Sequence, residues 1–256
     1  MQAVGRALVT FALLLAGWQT LVWATAVEPF ILPGPWLVLQ SLVAHPELIG
    51  GHAVITLLEI VLGLICGGGL GMISAVSLSW LPGLRRWLLP LLVVAQAIPV
   101  FALAPVLVLW LGYGLASKVM MASLIIFFPV TTAFLDGLRR TEPGWLDLAQ
   151  TMTAGQRRPG RWAVLRHIRI PAALPALASG LRVAAAVAPI GAVVGEWVGS
   201  SASLGYLMLH ANGRMQIDLL FAALFVLAAM AVTIFFSVDW LLRRLLPWQP
   251  DTLPNK

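Results

Sequence analysis

The chain has 256 residues, 60% of them hydrophobic and 10% charged, with a mean hydropathy of +0.94 and a formal net charge of +6. That composition excludes a soluble globular domain, and apolar runs longer than about eighteen residues exclude a transmembrane β-barrel, whose strands are short and alternating. The single cysteine, Cys66, excludes an intrachain disulfide and a cysteine-based zinc cluster, and excess Lys and Arg in so apolar a chain reads as topology before it reads as nucleic-acid binding.

The apolar periodicity predicts an all-α polytopic membrane protein with about six transmembrane helices, near 7–26, 53–79, 87–111, 118–137, 175–195 and 218–242. The first segment has Arg6 in front of it and Ala24-Thr25-Ala26 at its end, as a signal peptide would. Its apolar stretch exceeds the roughly 7–15 residues of a signal-peptide core, so a retained span is predicted. Residues 27–51 are proline-rich, with an apolar patch at Trp36–Val43, and read as a turn, a short interfacial helix and another turn.

The second span carries Glu59 followed by Gly63, Gly67 and Gly71 at every fourth position. The glycines permit close helix packing, with Glu59 paired to a neighbour near the external surface. Alternatively, Glu59 lines a polar pathway, since an ionisable group within a span is costly. The third span, "LLVVAQAIPVFALAPVLVLWLG", contains Gln96, Pro99 and Pro105, the pattern of a helix interrupted at membrane depth beside a cavity or other helices.

Residues 138–174 form the longest polar stretch. It opens with "LRRTEPGWLDLAQTM", where Pro143 suits a first helical turn and Trp145, Leu148, Ala149 and Met152 share one face. That amphipathic helix covers either a partner or the protein's own helices. An arginine-rich arm follows, "QRRPGRWAVLRHIRIPAALP". The fifth span ends at Glu196, placed near the external mouth, and leads into "GSSASLGYLMLH". Ser200, Ser201 and His210 there lack the strand-turn-helix pattern of a nucleophilic serine, so the small residues read as a tight turn. In the sixth span Asp239 stands four residues before Arg243, a local ion pair.

With the N-terminus inside, every Lys and Arg except Lys118 and Arg214 falls on the cytoplasmic side, so both termini are expected to be cytoplasmic. Neither lysine, Lys118 or Lys256, follows a phosphate-binding glycine loop. If the chain moves solute with ATP, another chain must hydrolyse it.

Five stretches carry a resemblance: "ILPGP" at 31–35, "QAIPVFALAPVLVLWLGYGLASKV" at 96–119, "FFPVTTAFLDGLR" at 127–139, "RHIRIPAALPALASGLRVA" at 166–184 and "GAVVGEWVGSSASLGYLM" at 191–208. Together they resemble the permease subunits of binding-protein-dependent, ATP-driven importers of the type I architecture. Within these the chain looks most like the nitrate/sulfonate/taurine branch, and the stretch "GEWVGSSASLGYLMLHANGRMQIDLLFAALFVLA" resembles the subgroup for the pyrimidine precursor of thiamine. The resemblance implies a type I ABC importer permease fold in the bacterial inner membrane. It implies a second permease copy, two cytoplasmic ATP-binding subunits that hold ATP and Mg, an external solute-binding protein and contact with membrane lipid. It implies neither a nucleic-acid partner nor a cofactor or metal on this chain.

It also implies a coupling loop. Asp147-Leu148-Ala149 stands where the family's Glu-Ala-Ala opens that loop, Gly155 is its glycine, and Ile168-Arg169-Ile170-Pro171 matches its end. The stretch from Gly155 to Pro171 is longer than the family spacing. On this reading residues 1–51 hold the first helix and the interfacial segment, 52–244 the permease core, and 245–256 a cytoplasmic tail. The translocation pathway draws on Glu59, Gln96, Pro99, Pro105 and Glu196. The competing reading is an ion-coupled secondary carrier, which needs an intramembrane ionisable group such as Glu59.

Overall fold

A computed structural model describes residues 2–152 and 161–248, which leaves Gly155 and the pair Arg157 and Arg158 outside the described residues. Its helices are α1 (Gln2–Thr25), α2 (Pro35–Ala44), α3 (Pro46–Trp80), α4 (Pro82–Ala97), α5 (Ala104–Leu111), α6 (Leu115–Arg139), α7 (Pro143–Met152), α8 (Arg161–Val164), α9 (Ile170–Gly199), α10 (Leu204–Gly213) and α11 (Ile217–Leu245). No strand occurs among the described residues. Proline opens α2, α3, α4 and α7, where its missing N–H has no helical partner to lose and its fixed φ suits the first turn.

Four helices are long and apolar enough to cross a membrane: α3, α6, α11 and the continuous run Trp162–Gly199. The predicted interfacial helix is α2. The first predicted span is helical as α1, but its apolar part, Val9–Thr25, is shorter than those four. The third predicted span, 87–111, is an interrupted helix: α4 and α5 are sharply bent against each other, with a 3₁₀ turn at Val100–Leu103 between them. The cause is local. Pro99 pushes Ile98 out of the helical region (φ −75°, ψ 122°), so α4 stops at Ala97. Pro105 interrupts nothing, because it sits in the first turn of α5.

The run from Trp162 to Gly199 also departs from expectation. The predicted loop end, Ile168 to Pro171, is helical and continuous with the fifth span. Leu165–Arg169 forms a π turn closed by the Ile170 N–H on the Leu165 carbonyl. Pro171 follows directly, and the wider turn lets its ring enter a helix without the usual clash against the preceding turn.

The chain divides into two compact units. One comprises residues up to Leu57 with Ser200–Met230. Its core is Val38, Ile49, Leu204, Leu207, Ala211, Leu219, Ala222 and Ala223, with Trp18 stacked on Phe221 at 5.8 Å. Ser203 caps α10 by accepting the Tyr206 N–H, and Thr56 accepts the Leu204 N–H at 2.9 Å, so the buried start of α10 keeps its donors satisfied. Ser200 accepts the Ser203 hydroxyl at 2.9 Å and the Ala202 N–H, the tight turn expected from the small residues.

The other unit comprises Leu58–Gly199 and the chain from Ala231 onward. Here α6 lies between α3 and α9, and small residues set the spacing. A Cβ on Gly63 would meet the Ala122 Cβ at 2.6 Å, and one on Gly191 would meet the Ala122 Cα at 2.9 Å. Gly67 lies against the Ser123 backbone, Gly71 against Val130, Gly180 against Ala133 and Gly137 against Ala176. The glycines of the second span therefore serve close packing, as their spacing suggested. Asp239 accepts from Arg243 at 2.8 Å, the expected local pair, and also from Arg182 at 2.6 Å, which ties α9 to α11. Ala178, Leu242 and Leu246 pack beside this bridge.

Two substitutions in α3 test the glycine packing. Gly67→Ala places a Cβ 2.6 Å from the Ser123 carbonyl oxygen and 2.9 Å from its Cα, so α3 and α6 must separate. It is expected to cost about 1–3 kcal/mol in a detergent denaturation series. Gly69→Ala meets nothing within 4 Å and is expected to be neutral or slightly stabilising. Equal effects would contradict the packing.

Candidate functional site

Three charged side chains lie buried where α3, α6 and α9 meet. Glu59 on α3 is 0% exposed and Glu196 on α9 is 1% exposed. Between them Lys118 on α6 has a side chain 7% exposed, with its Nζ 3.3 Å from Glu59 Oε1. The Glu196 side chain reaches the same Glu59 carboxyl, so the ammonium and both carboxyls form one cluster. Burial of an ionised group is tolerated only with a partner, and the Lys118 ammonium has the Glu59 carboxyl as one.

Glu59 has a charged neighbour. That neighbour is Lys118, which is not an external loop charge: it lies within the first turns of α6, buried. It belongs to the site although nothing in its local sequence marks it. The usable signal was that this lysine is the sole cation of its apolar segment, while two other apolar segments each hold a glutamate.

The remaining pathway candidates are not brought to this cluster. Gln96 and Pro99, at the end of α4, and Pro105, at the start of α5, are all exposed. Their helix pair instead packs by Ala104 and Leu107 against Met121 of α6. Gly199, closing α9, lies against Val108 of α5.

The coupling candidates occupy α7 and the π turn. On α7, Trp145 is 58% exposed and Leu148 52% exposed, while Asp147 is exposed and Ala149 half-buried. Met152 is the last residue of the helix. The Trp145 indole donates to Glu142 Oε2 at 3.1 Å, which fixes the ring beside the helix start. Of the predicted apolar face, Trp145 and Leu148 are left uncovered by the other described residues. Ile168 and Ile170 are half-buried and Pro171 exposed, with Leu165 buried beneath the turn. Trp162, also exposed, meets Trp80 edge-on at 5.5 Å.

Double-mutant thermodynamics test the buried cluster. Lys118→Met leaves the buried Glu59 carboxyl without its ion-pair partner and is expected to lose about 3–5 kcal/mol in equilibrium unfolding. Adding Glu59→Gln is expected to return part of that loss, because the pair is removed together. Strictly additive losses would show that the two groups do not interact.

Comparison with known proteins bears on what this arrangement serves. Residues 67–249 match the family described as binding-protein-dependent transport system inner membrane component. A probable ABC transporter permease protein of Haemophilus influenzae is 54% identical over 93% of this chain and 96% of its own length. A formylaminopyrimidine transport permease protein of Halalkalibacterium halodurans is 35% identical over 87% of each chain. A riboflavin transport system permease protein of Chloroflexus aurantiacus is 36% identical over 94% of this chain and 89% of its own. The chain therefore belongs to the binding-protein-dependent transport system inner membrane component family, and is a multi-pass inner-membrane permease subunit of an ATP-driven ABC importer.

Proposed function

We propose that two copies of this chain form the pathway, with both termini in the cytoplasm. ATP and Mg are held by two partner ATP-binding subunits, lipid surrounds the bundle, and this chain hydrolyses nothing itself. The observation that carries the reading is the uncovered apolar face of α7. Trp145 and Leu148 are exposed on a helix joining two spans, and burial against another protein recovers their hydrophobic free energy. On this reading α7 is the coupling helix that docks on the ATP-binding subunit, with Asp147, Leu148 and Ala149 at the contact. Ile168, Ile170 and Pro171 form the return of the same element into α9. Gly155, between the two arms, belongs to it by sequence alone.

The solute is delivered by an external binding protein. Formylaminopyrimidine and riboflavin, named for two of the relatives, are both planar nitrogen heteroaromatics. Their identities to this chain support a pyrimidine-type heteroaromatic solute over a sulfonate, taurine or nitrate. The Glu59–Lys118–Glu196 cluster acts at the junction of α3, α6 and α9, where helices must move against one another for access to alternate.

Reconstitution tests the assignment. The permease alone in proteoliposomes is expected to give no uptake, whereas co-reconstitution with its ATP-binding subunit and binding protein gives ATP-dependent uptake. Uptake by the lone chain driven by an ion gradient would overturn the importer reading. Leu148→Glu, at an exposed position, is expected to leave folding intact and to lower transport at least about tenfold, through loss of ATPase-subunit binding in a pull-down. Full binding by that variant would place the dock elsewhere.

A further inference from the structure

Three rings are piled along one edge of α10. His52 stacks on Tyr206 at 6.0 Å and 25°, and Tyr206 stacks on His210 at 5.1 Å and 21°. Tyr206, His210 and Arg214 follow at every fourth residue, so they share one helical face, and Arg214 closes the helix as its C-cap residue. Beyond the pile opens a cavity of about 250 Å³ lined by Tyr206, Leu209, His210, Gly213 and Arg214. Tyr206 is flanked by two imidazoles, whereas His210 is exposed. An aromatic series that ends beside a cavity, with a guanidinium lining that cavity, has the chemistry of a platform for one more ring.

We infer that the His52–Tyr206–His210 pile and Arg214 form a stacking ledge that takes the planar ring of the transported solute. The inference rests on the heteroaromatic reading of the solute above. A nitrogen heteroaromatic stacks on His210, while its ring nitrogens and exocyclic oxygens accept hydrogen bonds from the Arg214 guanidinium. A guanidinium also stacks on aromatic faces, so Arg214 suits the far side of such a ring. Neither an aliphatic sulfonate nor nitrate offers an aromatic face to this pile. The ledge follows α9 directly in the chain, on the side that the charge distribution assigns to the binding protein.

Gly213 gives a clean block. A Cβ there meets nothing within 4 Å, so a side chain at this position, which lines the cavity, starts into open space. The full transporter, with its ATP-binding subunit and binding protein, is assayed for uptake of radiolabelled hydroxymethylpyrimidine and of taurine. Wild type is expected to take up the pyrimidine. His210→Ala and Gly213→Leu are each expected to lower that uptake about tenfold or more, the effect of losing one ring stack, with binding-protein docking affinity unchanged. His210→Phe, which keeps the stack, is expected to stay within about twofold of wild type. Unchanged uptake in both disruptive variants overturns the ledge and leaves the solute reading standing. Loss of binding-protein docking in either variant makes this face a protein contact and overturns the ledge likewise. Wild type that carries taurine but no pyrimidine overturns the solute reading and the ledge with it.

Discussion

The contact between the buried Lys118 ammonium and the Glu59 carboxyl, with Glu196 against that same carboxyl, is the constraint around which the larger unit is arranged. Its setting is close helix packing. Glu59 precedes Gly63 by one turn, Lys118 precedes Ala122 by one turn, and Glu196 follows Gly195, whose Cβ position lies 3.3 Å from the Lys118 Cα. The two features depend on each other. Glycines let three backbones approach closely enough to exclude water, and the exclusion of water is what makes an unpaired charge there so costly. Loosening the glycine contacts would wet the cluster, and removing one charge would leave the others without a solvent to fall back on.

The second electrostatic tie, between α9 and α11, is of another kind. Asp239 has a side chain 16% exposed and takes Arg182 and Arg243 on separate oxygens, but Arg243 is itself 65% exposed. Screening limits that outer pair to a few tenths of a kcal/mol, while the more enclosed Arg182 contact fixes which way α11 faces α9. Arg244 lies over the Trp240 ring at 4.1 Å, a cation–π contact worth about 0.5–1 kcal/mol at an exposed site. The last turns of α11 are thus anchored by several modest contacts, in contrast to the one deep cluster.

What could be read from the sequence was local. The apolar patch at Trp36–Val43 announced α2 and Pro143 the start of α7, the four-residue spacing of Gly63, Gly67 and Gly71 announced a packing face, and Asp239 with Arg243 announced an ion pair. What could not be read depended on residues far apart in the chain. Lys118 finds Glu59 and Glu196 only because α3, α6 and α9 converge, and no spacing rule links those three positions. The prolines misled where position within an element decided their effect. Pro99 ends a helix by acting on the residue before it, whereas Pro105 begins one and breaks nothing. The arginine-rich arm looked like loop by composition, yet Arg161 to Arg169 is helical because the π turn makes room for Pro171.

That turn has a mechanical consequence. From Trp162 to Gly199 the backbone is one unbroken helix of 38 residues, roughly 57 Å long at about 1.5 Å per residue. A helix of this length is most compliant where its ladder of hydrogen bonds is irregular, and three such places lie along it: the π turn at Leu165–Arg169 and the internal prolines Pro175 and Pro189. Force applied at Trp162 therefore meets a compliant joint first and two more on its way. Each joint can absorb part of a change of angle, and what remains reaches Glu196, one turn from the far end, past the last joint at Pro189.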